Sequence, residues 1–434
     1  MGRNTKTIYP DGNYEKITYD LNSNVKQYRN RRGYTTSFSY DDLDRIIYAG
    51  YPDGKTNTVS YGYDAAGNET VTYTDGENRI TKEYYDLGGR LFKEESGGSI
   101  TLYEYDYIGN MVKATDAEGH VVIGKYDVLG RNTHIIKDPS GINIVSEVTY
   151  DLLGNKLSAK DGEGNITGYQ YDLINRLKKV TQTVGSQSIQ TEYDYDIVEG
   201  SLVKNKVIDA LGREKITYFD ALGRVVKEVD EGVVDDSSRM TKQYQYDLNG
   251  NLKKLIQNDG TDIDYSYNNL NQLTGIVYDP TSSTEFTYDL NGNRTNMIDT
   301  QNGITLNTSY SYDSMDRLTQ VVQDGHSVNY EYDGSDNITG VFYPIEEGDL
   351  QRDVEYVYDS FNQLEKIISE NKTVQEYFYT GSGMVDYVKN YRQFDTSGTG
   401  YVKVDYSYNT AGLPVNIKYL DNGIVNKEEY TMSY

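Results

Sequence analysis

The sequence has no cysteine and no tryptophan, and only three histidines and six prolines in 434 residues. Without cysteine there is no disulfide, no thiolate metal site and no cysteine nucleophile. The histidines, His120, His134 and His326, are not at ligand spacing. His120 and His326 follow Gly119 and Gly325, and read as surface residues at turn ends. No apolar run approaches the ~18 residues that cross a bilayer as a helix. The opening Met1-Gly2-Arg3-Asn4-Thr5-Lys6 has no apolar run behind it and does not read as a secretory signal. Positive charge is also scarce, with 42 Lys and Arg against 67 Asp and Glu, a net charge of −25. That argues against nucleic acid, whose phosphates require basic surfaces, and against an electrostatic grip on anionic membranes. Val, Ile, Leu and Phe make up roughly 22% of the chain, close to the level at which a charged chain stays disordered.

What the chain has instead is tyrosine, 46 residues against 8 phenylalanines. A tyrosine ring buries apolar area while its hydroxyl stays wet or hydrogen-bonded, so thin, half-wet layers can form without a thick core.

A short phrase recurs, Tyr-Asp-x-x-Gly-Asn/Arg. It is clearest at Tyr63-Asp64 with Gly67, Tyr85-Asp86 with Gly89, Tyr105-Asp106 with Gly109, and Tyr126-Asp127 with Gly130. It returns at Tyr150-Asp151 with Gly154, Tyr246-Asp247 with Gly250, and Tyr288-Asp289 with Gly292. Looser copies begin at Tyr19, Tyr40, Tyr171, Tyr195, Phe219, Tyr267, Tyr312, Tyr332, Tyr358, Tyr379 and Tyr408. Successive copies lie 20 to 29 residues apart, the period of one supersecondary unit per repeat.

Asp after the tyrosine suits the start of a type I turn, because its carboxylate accepts the backbone N–H two residues on. Three residues later the chain needs a residue tolerant of positive φ. At that position stand ten Gly, three Asn and three Asp among eighteen copies; Ser23 and Glu199 depart. The repeat therefore preserves a backbone conformation, and such a turn is a common β-hairpin connection. Eleven copies carry a second Tyr two residues before the first, as in Tyr103/Tyr105 and Tyr265/Tyr267. Period two places both rings on one face of a strand. A second strand follows each turn, closed by a second signal such as Asp75-Gly76 or Asp324-Gly325.

The predicted fold is all-β: an antiparallel β-hairpin repeat array forming a curved or spiral strip, a partial hollow shell. Residues 1–434 read as one continuous array of about eighteen units and some thirty-six strands, a segment of a longer protein. The phase is disturbed at 198–215, 230–241, 344–353 and 392–402, which read as loop insertions. At ~4.8 Å per strand the strip is roughly 170 Å long, about one turn of a wall some 55 Å across.

The phrase at this period resembles the YD repeat of bacterial Rhs proteins, Gram-positive wall-associated proteins, the B and C components of insecticidal toxin complexes, and the teneurins. The resemblance covers nearly the whole chain, from Tyr9 to Tyr434. It implies hairpins that spiral into a hollow shell, which in the toxin members encloses a C-terminal toxin domain. It also implies a bacterial protein, secreted or cell-wall associated, with a possible affinity for carbohydrate. Asp138-Pro139 and Asp279-Pro280 do not match the family's self-cleaving core segment, and the repeats run to Tyr434. Neither cleavage nor toxicity is therefore carried over.

No residue pattern points to an enzyme, and no cofactor is implied. The repeated aspartates are explained by turns rather than by the paired carboxylates of a glycosidase. Asp161-Gly162-Glu163-Gly164-Asn165 alternates oxygen ligands but lacks the rest of a calcium loop, and reads as an acidic turn. There is no Ser-His-Asp order, phosphate loop or nucleotide signature. The tyrosine rows suit stacking across strands, or sugar binding if one row faces solvent. The leading expectation is a scaffold that holds a toxin domain or another protein cargo, without inserting into a membrane. The alternative is an adhesin-like module that binds glycans or protein.

Overall fold

The computed structural model describes residues 2–231, 240–343, 353–391, 400–422 and 425–432. Thirty-eight strands run from Lys6–Ile8 to Val425–Thr431, and among the described residues there is no helix. Each strand pairs antiparallel with the strand before it and the strand after it, making one continuous open sheet. The topology is a meander, so every strand pairing among the described residues is between neighbours in the sequence.

The turns form as the aspartate–glycine spacing predicts. Of the eighteen residues four after the leading Tyr or Phe, seventeen have positive φ, including Ser23 at 83°, Asp44 at 61°, Asn175 at 65° and Gly109 at 97°. Ser23, which departs from the residue pattern, still adopts the conformation. Glu199 does not: there the phrase makes a bulge within the strand Gln187–Glu199, with Asp196 at φ 55°, and the hairpin closes at Gly200. On most hairpins the register slips between the leading tyrosine and the residue before it, as between Glu104 and Tyr105. The extra residue lies on the second strand, here Val112, and is separate from the turn, since the same turn at Asp75–Arg79 joins strands without a slip.

The opposite edge of the strip uses two kinds of turn. Some repeat the first kind, as at Asp75–Arg79 and Asp116–His120. Others are two-residue loops with both central residues at positive φ, such as Asn302-Gly303 (50° and 79°) and Asp324-Gly325 (50° and 84°). Primed turns of this kind match the twist of the strands they join.

Residues 198–215 are not an insertion. They form the end of one strand, the strand Leu202–Ile208 and a turn at Asp209–Arg213, all paired in the sheet. The other three disturbed stretches fall mainly on residues 232–239, 344–352 and 392–399, outside the described residues.

The sheet is one layer thick and buries little. Val229 is fully buried, beside Ile216 and Tyr218, with Leu202 and Val226 packed against them. Elsewhere most strand residues are half-buried, as a tyrosine-rich, aliphatic-poor composition allows.

The strip curls until its second part lies against its first. Arg32 meets Asp316, Glu77 meets Gly334, Ser99 meets Gly381 and Asp138 meets Thr410. The sequence separations at these contacts run from 257 to 284 residues. One lap thus takes about twenty-five strands, on the order of 120 Å of wall and ~38 Å across. The spiral is tighter than a single closed ring of all the strands, and the chain makes more than one lap.

Candidate functional site

The repeated turn is built around its aspartate. At Asp64, Oδ1 accepts the N–H groups of Ala66 and Asn68, both at 2.9 Å, while Asn68 Nδ2 donates to Oδ2 at 2.9 Å. The backbone closes the same loop, with Gly67 N donating to Asp64 O at 3.1 Å and Asp64 N to Asn68 O at 2.9 Å. The arrangement recurs at Asp86, Asp106, Asp127, Asp151, Asp247 and Asp289, closed by Arg90, Asn110, Arg131, Asn155, Asn251 and Asn293. The Asn68 carboxamide, then its N–H, holds the Asp64 carboxyl below the usual aspartate range; Arg90 does the same for Asp86.

These aspartates are therefore committed to the backbone. The calcium-like stretch is the same turn: Asp161 accepts the N–H groups of Glu163 and Asn165 and the Asn165 carboxamide, at 2.9 to 3.0 Å. Among the described residues no group of three His, Cys, Asp or Glu is placed to hold a metal ion. His120 takes the closing position of a turn, 2.7 Å from Asp116 Oδ2.

The leading tyrosine does something the sequence pattern did not disclose. Its hydroxyl donates to the first strand carbonyl after the preceding repeat's turn. Tyr105 reaches Leu91 O at 2.7 Å, Tyr126 Met111 O at 2.8 Å, Tyr150 Asn132 O at 3.0 Å, Tyr246 Val225 O at 2.7 Å and Tyr288 Leu273 O at 2.6 Å. Most hairpins are stitched to their predecessor by this bond; Phe219, which leads its repeat, has no hydroxyl to make it. The bulge frees that carbonyl, and the hydroxyl fills it.

Tyr63 and Tyr85 differ. The hairpin Thr56–Tyr63/Glu69–Thr74 has no register slip. Tyr63 is 78% exposed. Tyr61 makes the stitch instead, to Ile46 O at 3.2 Å. Tyr85, in the next repeat, donates to Glu83 Oε2 at 2.7 Å, and this bond, then burial, pushes its hydroxyl pKa up strongly.

The residue that closes each turn also reaches along the edge to the next one. Where the next left-handed residue is Asn or Asp, the closing residue donates to it; that residue is an asparagine in five places and Arg317, which reaches Asp336 at 2.8 Å, in a sixth. The asparagine pairs are Asn24–Asp44 at 2.6 Å, Asn155–Asn175 at 3.1 Å, Asn251–Asn271 at 2.9 Å, Asn293–Asp316 at 2.8 Å and Asn337–Asn362 at 2.5 Å. In three places where the next left-handed residue is Gly, a longer side chain reaches a backbone carbonyl of the next turn. Arg90 donates to Asp106 O at 3.1 Å, Arg131 to Asp151 O at 2.8 Å and Gln363 to Gly383 O at 3.2 Å.

Among the described residues the strip meets itself along the seam between the laps. The turn edge of the second lap lies on the opposite turn edge of the first. Arg32 donates to Asp316 Oδ1 at 2.6 Å and to the carbonyls of Asp313 and Tyr312, while its own N–H reaches Asn291 at 3.1 Å. Glu77 accepts Gly334 N and Lys55 Nζ, both at 2.7 Å, and Ser335 donates to Asp75 at 2.7 Å. The Lys55 bond, then the Gly334 N–H, holds the Glu77 carboxyl below its ordinary range. Burial pushes Asp75 up, but bonds from Arg79 and Ser335 outweigh it and hold it low. Fit is close: a Cβ on Gly76 would stand 2.7 Å from the carbonyl oxygen of Gly334, and one on Gly97 would meet the Phe361 ring at 2.5 Å. A cleft of about 890 Å³ remains between Ile80 and Ile100 on one side and Tyr356 and Asp359 on the other. Its mixed lining brings together no nucleophile–base pair.

Residues 254–393 match the family described as the teneurin YD-shell. Over 243 residues, 49% of this chain, the sequence is 28% identical to the tRNA3(Ser)-specific nuclease WapA of Bacillus spizizenii. The fold is similar to the crystal structure of TcdB2-TccC3, with TM-score 0.68 and 14% identity over 98% of this chain. It is likewise similar to the Photorhabdus luminescens Tc holotoxin pore, with TM-score 0.67 and 15% identity over 95%. This chain spans 9% of the WapA protein and 24 to 25% of those two solved chains.

Proposed function

We propose, from the premise that this chain is a YD-repeat protein with the fold of the toxin-complex shells, that it is a stretch of shell wall. In this reading it belongs to a longer bacterial polymorphic toxin, secreted or wall-associated, and the shell encloses a C-terminal toxin domain. The chain itself contributes architecture and no catalysis. The observation that carries the reading is the seam. A meander one layer thick has no inside until it curls onto itself, and here the second lap is fastened to the first by partly buried polar contacts. The aspartate turns, tyrosine stitches and edge ladder all serve to set the curvature that brings the laps together.

The test is electron microscopy and limited proteolysis of the longer natural polypeptide. A hollow particle, in which the segment C-terminal to the repeats is cut only after the wall is disrupted, is the expected result. A compact solid particle, or a C-terminal segment equally exposed in the intact protein, overturns the proposal.

A further inference from the structure

Thirteen turns of the repeated phrase open with an aspartate whose Oδ2 accepts a bond from the residue that closes the turn. Asp359 is the exception. Its Oδ1 accepts the N–H groups of Phe361 and Gln363 at 2.8 and 2.9 Å, as in the other turns. Gln363 sends its carboxamide to Gly383 O instead of back to Asp359. No donor among the described residues reaches Asp359 Oδ2, and that oxygen is not buried.

Asp359 lines the seam cleft of about 890 Å³, a size that suits ligand sites. A second cleft of about 620 Å³ shares it and carries Phe361, Tyr377 and Phe378. The other acids of both clefts already have partners. Glu77 holds Lys55, Glu95 holds Lys93, Glu365 holds Lys366 and Glu376 holds Lys389. Asp333 is filled by its own turn and lies 3.9 Å from Arg79, which is bound to Asp75. Lys82 has no ion pair and lies 4.9 Å from the Tyr84 ring. Ile80 and Ile100 supply apolar walls, and the hydroxyls of Thr339, Tyr356 and Ser360 make no hydrogen bond among the described residues.

We propose that the seam cleft binds a peptide through one basic side chain. The ammonium or guanidinium bonds Asp359 Oδ2, supplying the charge-assisted contact that the turn itself leaves unmade. The aliphatic stem lies along Ile80 and Ile100, since such stems cover apolar surface while the head group stays polar. The field of a chain with net charge −25 draws cations toward it, and Lys82 opposes them locally. The cleft is far larger than one stem, and its free hydroxyls suit peptide amides, which a simple amine lacks. The site depends on the seam and not on what the wall encloses, so it stands or falls apart from the shell reading.

Calorimetric titration of the 434-residue chain with acetyl-Leu-Lys-Leu-amide tests this, because the blocked ends leave the side chain as the only charge. Binding is expected, with the norleucine and glutamate analogues and cadaverine each weaker by about tenfold or more. Asp359→Asn should weaken the lysine peptide by about 10–100-fold, the worth of one charge-assisted bond. Circular dichroism should not change, because Asn268 and Asn409 already head turns of this kind. Gln363→Asn should weaken binding equally while keeping the carboxylate, by closing the turn on Oδ2 as Asn68 does on Asp64. Lys82→Ala should tighten binding. The proposal is overturned by no binding up to about 5 mM peptide, by an analogue or cadaverine that binds as tightly as the lysine peptide, by Asp359→Asn or Gln363→Asn proteins that bind like the parent, or by looser binding in Lys82→Ala.

Discussion

Asn155 and Asn175, twenty residues apart, are joined edge to edge: the carboxamide nitrogen of Asn155 lies 3.1 Å from the carboxamide oxygen of Asn175. Asn155 simultaneously closes its own turn on Asp151, so one side chain fastens two hairpins. The left-handed position is thus more than a permissive kink. When it holds Asn or Asp, it supplies the acceptor for the turn before it.

This pairing predicts coupling. Asn155→Ala and Asn175→Gly should each destabilise by about 0.5–1 kcal/mol in urea melts, and the double variant by less than the sum. Asn175→Gly keeps the backbone conformation, so its cost reports the lost acceptor. Strict additivity would show that the contact contributes nothing.

Gly109 has φ 97° and open space where a Cβ would stand. Gly109→Ala should therefore cost about 1–2 kcal/mol through backbone strain alone, and Gly109→Asn less. Equal costs for the two variants would point to something other than φ.

Tyr267 donates to Leu252 O at 3.0 Å. Tyr267→Phe should lose about 1 kcal/mol, since the carbonyl is left without its partner. Tyr63→Phe should be neutral, because that ring is exposed and Tyr61 makes the stitch in its place. Paired thermal melts separate the two.

Acid should unfold the strip. The turn carboxyls of Asp64, Asp86, Asp151 and Asp247 titrate below the ordinary 3.8 in the folded chain, held there chiefly by the side chain that closes each turn. A depressed folded value means that the stabilisation is fully present above the unfolded value and is lost as pH falls through the folded one. Thermal melts should be level from pH 7 to about 5 and drop steeply below 3.8. A midpoint that already falls between pH 7 and 5 would place the sensitive group elsewhere.

Arg32→Ala should open the seam without melting the hairpins. The side chain makes charge-assisted bonds to Asp316 and to the Asp313 and Tyr312 carbonyls, so the loss is about 1.5–3 kcal/mol of lap-to-lap contact. Faster hydrogen exchange at residues 289–293 and 313–317, with unchanged exchange in the strand Ile263 belongs to, is the expected pattern. Uniform acceleration along the chain would contradict it.

Much of the local fold was legible in the sequence because its cause is local. Asp64 and Gly67 specify a turn from four residues, and alternation around Tyr103 and Tyr105 specifies a strand. The seam was not legible, because Arg32 and Asp316 are ordinary edge residues in their own repeats and become partners only through accumulated curvature. Size was misjudged for the same reason: strand count gives strip length but not the angle between hairpins. The Tyr63 hairpin was hidden because the motif there is intact and only the register differs. The regular strands at 198–215 were obscured because Tyr195-Asp196 keeps the letters of a turn while forming a bulge.

Among the described residues the two laps share no backbone ladder; each strand pairs within its own run of the chain, and side chains and turn backbones join one circuit to the next. Such a wall behaves like a wound spring. It can loosen by slipping its coils apart, in response to salt or to a pull on one end, while the weave of each coil stays whole and ready to close again.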